Sequence, residues 1–379
     1  MKNRRLPLVL LCLAMAISMK ATAQVDFKPV FTQVKLEARA DFDYWHTTNS
    51  VNDSIDSPYG FHGRYFNFVV SGTLSEKFSY FFRQRIIAQP GSVSLFDNTD
   101  FLYITYMPTK NWMFRFGKDA LAVGGFEYDA SPIDVLFSTT YWNNFYCFQP
   151  AVAGAYKSND GSQMFLAQVG NSPYVYYGAP LGFPAGSEWK SGLMAYNLYY
   201  SGNFGHFHML HSVNMFERPD HNYMNYIALG FQMLYDKWDV YLDLIHHANA
   251  WDDWGNNFAI VSCANWLLTP ELNFFVKGAY EQNMSDKVIP TYGQNGLFDI
   301  LLDASTEVTT YGMGVEYRPA SCPDFRLHAF VANRRTMSPA PAGVIGDRMA
   351  VSALNANIGI TWKMDIHRMF KKNNLTMNE

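Results

Sequence analysis

Beyond residue 23 the sequence has no uninterrupted stretch of the roughly 20 apolar residues that a helix needs to cross a bilayer, which excludes helical membrane spans. Cysteine is scarce. Cys12 sits among the first residues, and Cys147, Cys263 and Cys322 are odd in number and far apart, so neither a disulfide framework nor a zinc-ligand spacing emerges. No glycine-rich phosphate loop, zinc-binding helix motif or nucleophile elbow occurs in the 379 residues, and no cofactor is expected. Charged residues make up only 16% of the chain, with 29 Lys and Arg against 33 Asp and Glu, so the basic surplus of a nucleic-acid binder is missing. The chain also lacks a repeat of roughly 20 to 50 residues and any linker rich in proline, serine or charge. One domain must account for most of its length.

The first residues read as a secretory leader. Lys2, Arg4 and Arg5 are followed by an apolar stretch from Leu6 to Ser18 and by Ala21-Thr22-Ala23, a small-x-small cleavage site. A signal peptide over 1–23 is therefore expected. Its removal takes away Lys2, Arg4, Arg5 and Lys20 and no acid, leaving 25 basic against 33 acidic residues and a net charge of −8.

What the chain does have is aromatic residues, at 17%, and alternation. From residue 34 the even positions Leu36, Ala38, Ala40, Phe42 and Tyr44 are apolar, whereas Lys35, Glu37, Arg39, Asp41 and Asp43 are all charged. Leu272, Phe274, Val276 and Tyr280 alternate likewise with Asn273, Lys277 and Glu281, and Leu354, Ala356, Ile358, Ile360 and Trp362 with Asn355, Asn357, Thr361 and Lys363. A period of two with one apolar and one charged face suits a strand between lipid and an aqueous lumen. In hydrocarbon every backbone polar group needs an internal partner, and without spanning helices only a closed barrel supplies them.

Short turns at Ser75-Glu76, 108–111, 158–161, Gly202, Asp236-Lys237, Thr269-Pro270 and 319–324 alternate with longer polar connections near 46–60, 89–98, 119–147, 171–189, 218–222, 249–256, 283–304 and 336–348. Fifteen connections imply about 16 strands, with 14 or 18 left open by boundary errors of about 2 to 4 residues. The expected fold is all-β: a transmembrane antiparallel barrel over 24–365, with short periplasmic turns, long extracellular loops and a short polar tail at 366–379. An even strand number leaves both termini on the short-turn side, and a barrel of about 16 strands is wide enough for an aqueous channel.

The stretch Arg64-Tyr65-Phe66 to Gly72-Thr73-Leu74-Ser75, the segment Phe78-Ser79-Tyr80, and Arg115-Phe116-Gly117-Lys118 followed by Gly124-Gly125-Phe126-Glu127 resemble the phosphate-selective porin O and P family, including members from bacteria of the Bacteroidetes type. Where the family usually carries a Pro-Phe-Gly-like turn after its Gly-Lys pair, this chain has Leu121-Ala122-Val123-Gly124-Gly125-Phe126. The resemblance implies a bacterial outer-membrane channel for passive diffusion of small hydrophilic or ionic solutes, anions such as phosphate among them. It also implies outer-membrane lipid as surroundings and a homotrimer as assembly, with no nucleic acid as partner.

Eight basic residues fall on the polar phase of their strands: Lys35, Arg39, Arg83, Arg85, Arg115, Lys277, Arg326 and Lys363. A row of such cations lining a pore favours anions. The alternative is a neutralised wall, since Glu37, Asp41, Asp239, Asp243 and Glu281 share those faces and offer them partners. The connection 119–147 carries Asp119, Glu127, Asp129 and Asp134 and no lysine or arginine. Folded inward, it places four unpaired carboxylates at a constriction; folded outward, it is a lid without a role in selectivity.

His206 and His208 share a strand face and offer two metal ligands without a third, so lining histidines are the alternative and no metal is expected. Tyr174, Tyr176, Tyr177, Trp251 and Trp254 near long loops suit either sugar stacking or the aromatic girdle of any such barrel. Two rival functions remain. A barrel enzyme of the outer-membrane phospholipase kind needs a serine and a histidine meeting on the barrel exterior, and Ser212 beside His211 is the suggestive pair. An adhesin or scaffold would act through the loops. The expectation is a channel and not an enzyme.

Overall fold

A computed structural model describes residues 30–50, 57–86, 98–143, 147–173, 192–217, 222–248, 255–284, 305–340 and 346–366. The leader at 1–23, the tail from 367, and the aromatic residues Tyr174, Tyr176, Tyr177, Trp251 and Trp254 lie outside them.

Sixteen antiparallel strands close into one barrel. In chain order they are β1 (Val30–Asn49), β2 (Tyr59–Ser75), β3 (Phe78–Arg85), β4 (Thr99–Tyr106), β5 (Trp112–Ala120), β6 (Phe148–Lys157), β7 (Gln163–Asn171), β8 (Met194–Phe204), β9 (Phe207–Glu217), β10 (Tyr223–Leu234), β11 (Trp238–Ala248), β12 (Asn257–Leu267), β13 (Leu272–Asn283), β14 (Thr306–Tyr317), β15 (Phe325–Pro339) and β16 (Arg348–Asp365). Each pairs with its sequence neighbours, and β1 closes on β16 with Lys35 opposite Asp365 and Phe42 opposite Ile358. No strand edge is left open, as a hydrocarbon environment requires.

The expected alternation decides which face is which. On β16, Ile358 is 61% exposed on the outer face while its neighbour Asn357 is 6% exposed on the inner one. Outward positions elsewhere carry Val152, Phe165, Tyr311 and Met313, all exposed, whereas Arg39, Asp41, Asp43, Arg83, Lys277 and Arg326 are buried inside. In a soluble protein those exposed apolar side chains would be a liability; facing lipid they are what the surroundings demand. Stacked aromatic pairs mark the short-turn rim, such as Trp238 on Trp266 with ring centroids 5.1 Å apart. The alternation extends to β6, where Ala153 and Ala155 are buried inside and Val152 and Tyr156 are exposed outside.

The strand ends joined by the short connections all lie at one end of the barrel, and those from which the long connections depart at the other. Closure and the even count bring the start of β1 and the end of β16 to the short-turn side.

Candidate constriction and pore wall

The connection between β5 and β6 folds into the lumen. Its first residues run along β7 and β9: Ala122 N–H donates to Gln168 Oε1 at 2.8 Å, and Gly124 N–H to Ser212 Oγ at 2.8 Å. Glycine is required at that crossing. A Cβ on Gly124 would lie 2.7 Å from the Leu210 carbonyl oxygen, and Gly125 has a φ of +97° while packed against the Asp243 carboxylate. The departure from the family's usual turn is thus the place where this loop presses against β9 and β11.

Two wall carboxylates then hold the loop's backbone. Asp243 on β11 accepts from the N–H groups of Phe126 and Glu127, at 2.8 and 2.9 Å, at the start of the single helical turn α1 (Phe126–Asp129). Glu281 on β13 accepts from Thr140 and Tyr141 N–H, at 3.0 and 2.7 Å, at the start of a 3-10 turn at Tyr141–Asn143. Charged acceptors at the first amides of a helical turn satisfy donors that have no partner within it. The expectation that Asp243 and Glu281 pair with pore-wall cations is therefore corrected: their lone pairs go to the loop. Further along, Arg39 on β1 donates to the Val135 carbonyl at 2.7 Å, and Arg334 on β15 to the Ser138 carbonyl at 2.6 Å. The loop is tied to walls all round the barrel, so it is neither an exterior lid nor a free tether.

Its carboxylates are not the four unpaired charges expected. Glu127 is buried, 2.5 Å from Lys277 Nζ, and accepts from Thr139 Oγ1 at 2.6 Å. Asp134 bridges Arg326 at 3.1 Å and Lys363 at 2.5 Å. Asp119 still belongs to β5 and pairs with Arg115 four residues earlier, at 2.7 Å. Asp129 alone of the four makes no side-chain hydrogen bond or ion pair among the described residues, and burial pushes its carboxyl above the usual range.

The basic set behaves the same way. Arg39 takes Asp41 at 2.8 Å, and Arg83 and Arg85 share Asp100 at 3.0 and 2.9 Å. Arg326 adds Glu316 at 2.9 Å. Seven of the eight cations are neutralised by a neighbouring carboxylate; among the described residues Lys35 is the exception. Sequence reading missed four titratable residues of this network. Asp100 lies at the start of a short strand with no charged alternation, Arg64 sits at a register shift between β1 and β2 and bonds Asp41 and Asp43, Glu316 on β14 takes Arg326, and His328 meets Asp41 at 3.0 Å on the inner face of β15.

Among the described residues, three chambers open around the loop. One of about 320 Å³ lies toward the long loops and is lined by Arg39, Arg64, Arg85 and Arg334 with Asp43. A second, of about 630 Å³, lies against β3 to β8 and shares Tyr65, Arg85 and Trp142 with the first. The third, of about 790 Å³, opens toward the short turns, holds Lys35, Lys277, Arg326 and Lys363 together with Asp134 and Glu316, and shares Asp129 and Ala130 with the second.

A model of the phosphate-selective porin O and P family matches residues 33–350. The chain belongs to that family. As a porin it is a passive channel of the bacterial outer membrane, and its barrel has the shape of others. It is similar to the outer membrane channel DcaP of Acinetobacter baumannii, with a TM-score of 0.57 at 11% identity over 87% of this chain and 96% of that one. It is similar also to OprB of Pseudomonas putida, at 0.55 and 11% over 87% and 94%, and to an anion-selective porin from Comamonas acidovorans, at 0.54 and 12% over 89% and 100%. At these identities the likeness concerns the fold. No curated protein sequence matches the chain.

The remaining residues singled out in the sequence are engaged elsewhere in this porin. His206 lies in the turn beyond β8 and meets the Leu234 carbonyl at 2.7 Å, while His208 meets the Gly205 carbonyl at 3.0 Å. The two rings do not converge, and among the described residues no three His, Cys, Asp or Glu side chains gather as metal ligands. Ser212 points inward, bonded to Gly124 and Asn214, while His211 packs against Tyr200 and Phe231. The serine and histidine a barrel lipase would need are split between two faces of β9.

Proposed function

We propose that this porin is a weakly ion-selective diffusion channel whose solute path runs through the three chambers around the inward loop. The working parts in this reading are the pore-wall residues Lys35, Arg39, Arg83, Arg85, Arg115, Lys277, Arg326 and Lys363 and the constriction residues Asp119, Glu127, Asp129 and Asp134. The observation that carries it is the pairing of charges along the wall: opposite ions within 4 Å cancel most of each other's field on a passing solute. What remains is a small local excess. The outer chamber is lined by Arg39, Arg64, Arg85 and Arg334; Asp41, Asp43 and Asp100 are bonded to the first three, and the cation left over gathers small anions, phosphate among them, while Asp129 at the inner passage opposes them.

The same arrangement supports a channel without catalysis, since Ser212 and Asp243 on the wall and Glu127 on the loop hold the loop in place. The assembly is read as a homotrimer, the state the resemblance carries. Purified protein in a planar bilayer tests the whole reading. Stepwise ohmic conductance in units of three, with a small reversal potential under a salt gradient, is the expected result. A strong preference for either ion, or no conductance, overturns it.

A further inference from the structure

The chamber against β3 to β8 has a lining that an inorganic anion does not call for. Arg83 and Arg85 converge on the carboxylate of Asp100, at 3.0 and 2.9 Å, which brings two guanidiniums to one point of the wall. Both lie over aromatic rings, Arg83 4.5 Å from the Phe101 centroid and Arg85 5.7 Å from that of Phe148, so their positions are set before any solute arrives. The adjoining wall is apolar on its inner face. Met113 on β5 and Met164 and Leu166 on β7 occupy lumen-facing positions, while their neighbours Trp112 and Phe165 are exposed on the outer face. At the passage into the next chamber stands Asp129, with Tyr199 close enough for their charges to interact. Among the described residues the Asp129 carboxylate and the Tyr199 hydroxyl have no hydrogen-bond partner.

We propose that this chamber binds zwitterions with an apolar body, that is, apolar amino acids and short peptides. The carboxylate goes to the Arg83–Arg85 pair, the side chains lie on Met113, Met164 and Leu166, and the ammonium meets Asp129 and Tyr199. Phosphate would leave the apolar wall wetted and would be repelled by Asp129. A simple apolar acid would satisfy the arginines and leave Asp129 unpaired. Only a solute with all three features uses all three surfaces, and about 630 Å³ is ample for one. This rests on the reading of the chambers as the solute path.

The test uses the purified full chain in a planar bilayer, with solute-induced current noise and loss of conductance as readouts. The probe is L-leucyl-L-leucine, set against glycylglycine, 4-methylvalerate and inorganic phosphate. The dipeptide should half-saturate at a concentration about tenfold below any of the three, the scale of one charged hydrogen bond. Asp129→Asn should weaken the dipeptide about tenfold and tighten 4-methylvalerate. Leu166→Ser should weaken the dipeptide and leave glycylglycine unaltered, with heat-modifiable migration on gels confirming that both variants fold. Equal occlusion by phosphate or glycylglycine, or an Asp129→Asn channel that binds the dipeptide as before, overturns the proposal. Absence of ohmic steps under every condition would instead overturn the channel reading beneath it.

Discussion

Lys277 Nζ lies 2.5 Å from Glu127 Oε1, so a cation of the β13 wall and an acid of the inward loop neutralise each other inside the barrel. Both are buried, and burying an ion pair is tolerable only while both partners are present. Replacing Lys277 by methionine leaves Glu127 uncompensated at an expected cost of about 3–5 kcal/mol to the ordered loop. The predicted electrical result is a reversal potential shifted toward cations for Lys277→Met and toward anions for Glu127→Gln. The double variant should return near the native value. Additive shifts in the double variant would mean that the two charges act separately on the current path.

Asp129 predicts a pH dependence. Burial raises its carboxyl, so its negative charge is lost at a higher pH than that of an ordinary aspartate. As pH falls through that raised value the passage loses the charge of Asp129, and selectivity should move toward anions. Reversal potentials at low salt, where the screening length exceeds about 10 Å, should show this drift in the native channel and a smaller one in Asp129→Asn. Identical drifts in the two would place Asp129 outside the path.

The lipid face is tested on β16. Ile358→Arg puts a guanidinium on the outer surface, at a cost of about 2–4 kcal/mol near the bilayer middle. Asn357→Arg turns the same side chain inward, beside the Asp43 carboxylate that Asn357 now reaches at 2.7 Å. The first should yield little heat-modifiable barrel; the second should fold and change the conductance. Equal yields would overturn the phase of the strand.

Orientation follows from the alternation of short and long connections. In a background with Cys147, Cys263 and Cys322 replaced by serine, a cysteine at Asn256, beside a long connection, should react with an impermeant maleimide on intact cells. One at Lys237, in the short turn between β10 and β11, should react only after the membrane is opened. The opposite pattern reverses the topology.

The barrel was legible because alternation is a local property. A strand between lipid and water must repeat every two residues, and Lys35 to Tyr44 does so without exception. The number of strands followed from the rhythm of turns, since each short connection constrains only its own hairpin. The inward phase of the eight basic residues was likewise readable from alternation, whereas Asp119, assigned by position to the loop, belongs to β5.

Their partners were not readable. Glu127 meets Lys277 across 150 residues of chain, Asp134 meets Lys363 across 229, and His328 meets Asp41 across 287. These pairs exist only because a closed barrel brings distant strands round a common lumen and a loop crosses it. Nor does alternation reveal that Asp243 and Glu281 serve backbone amides, because a carboxylate on the inner face looks the same in sequence whether it meets a guanidinium or a helical turn. The local pattern of the chain thus determined that it spans a membrane as a barrel and which side chains face inward. Where the charges cancel, and therefore what field a solute meets, was decided by tertiary structure alone, because Coulomb energy depends on separation in space and not along the chain.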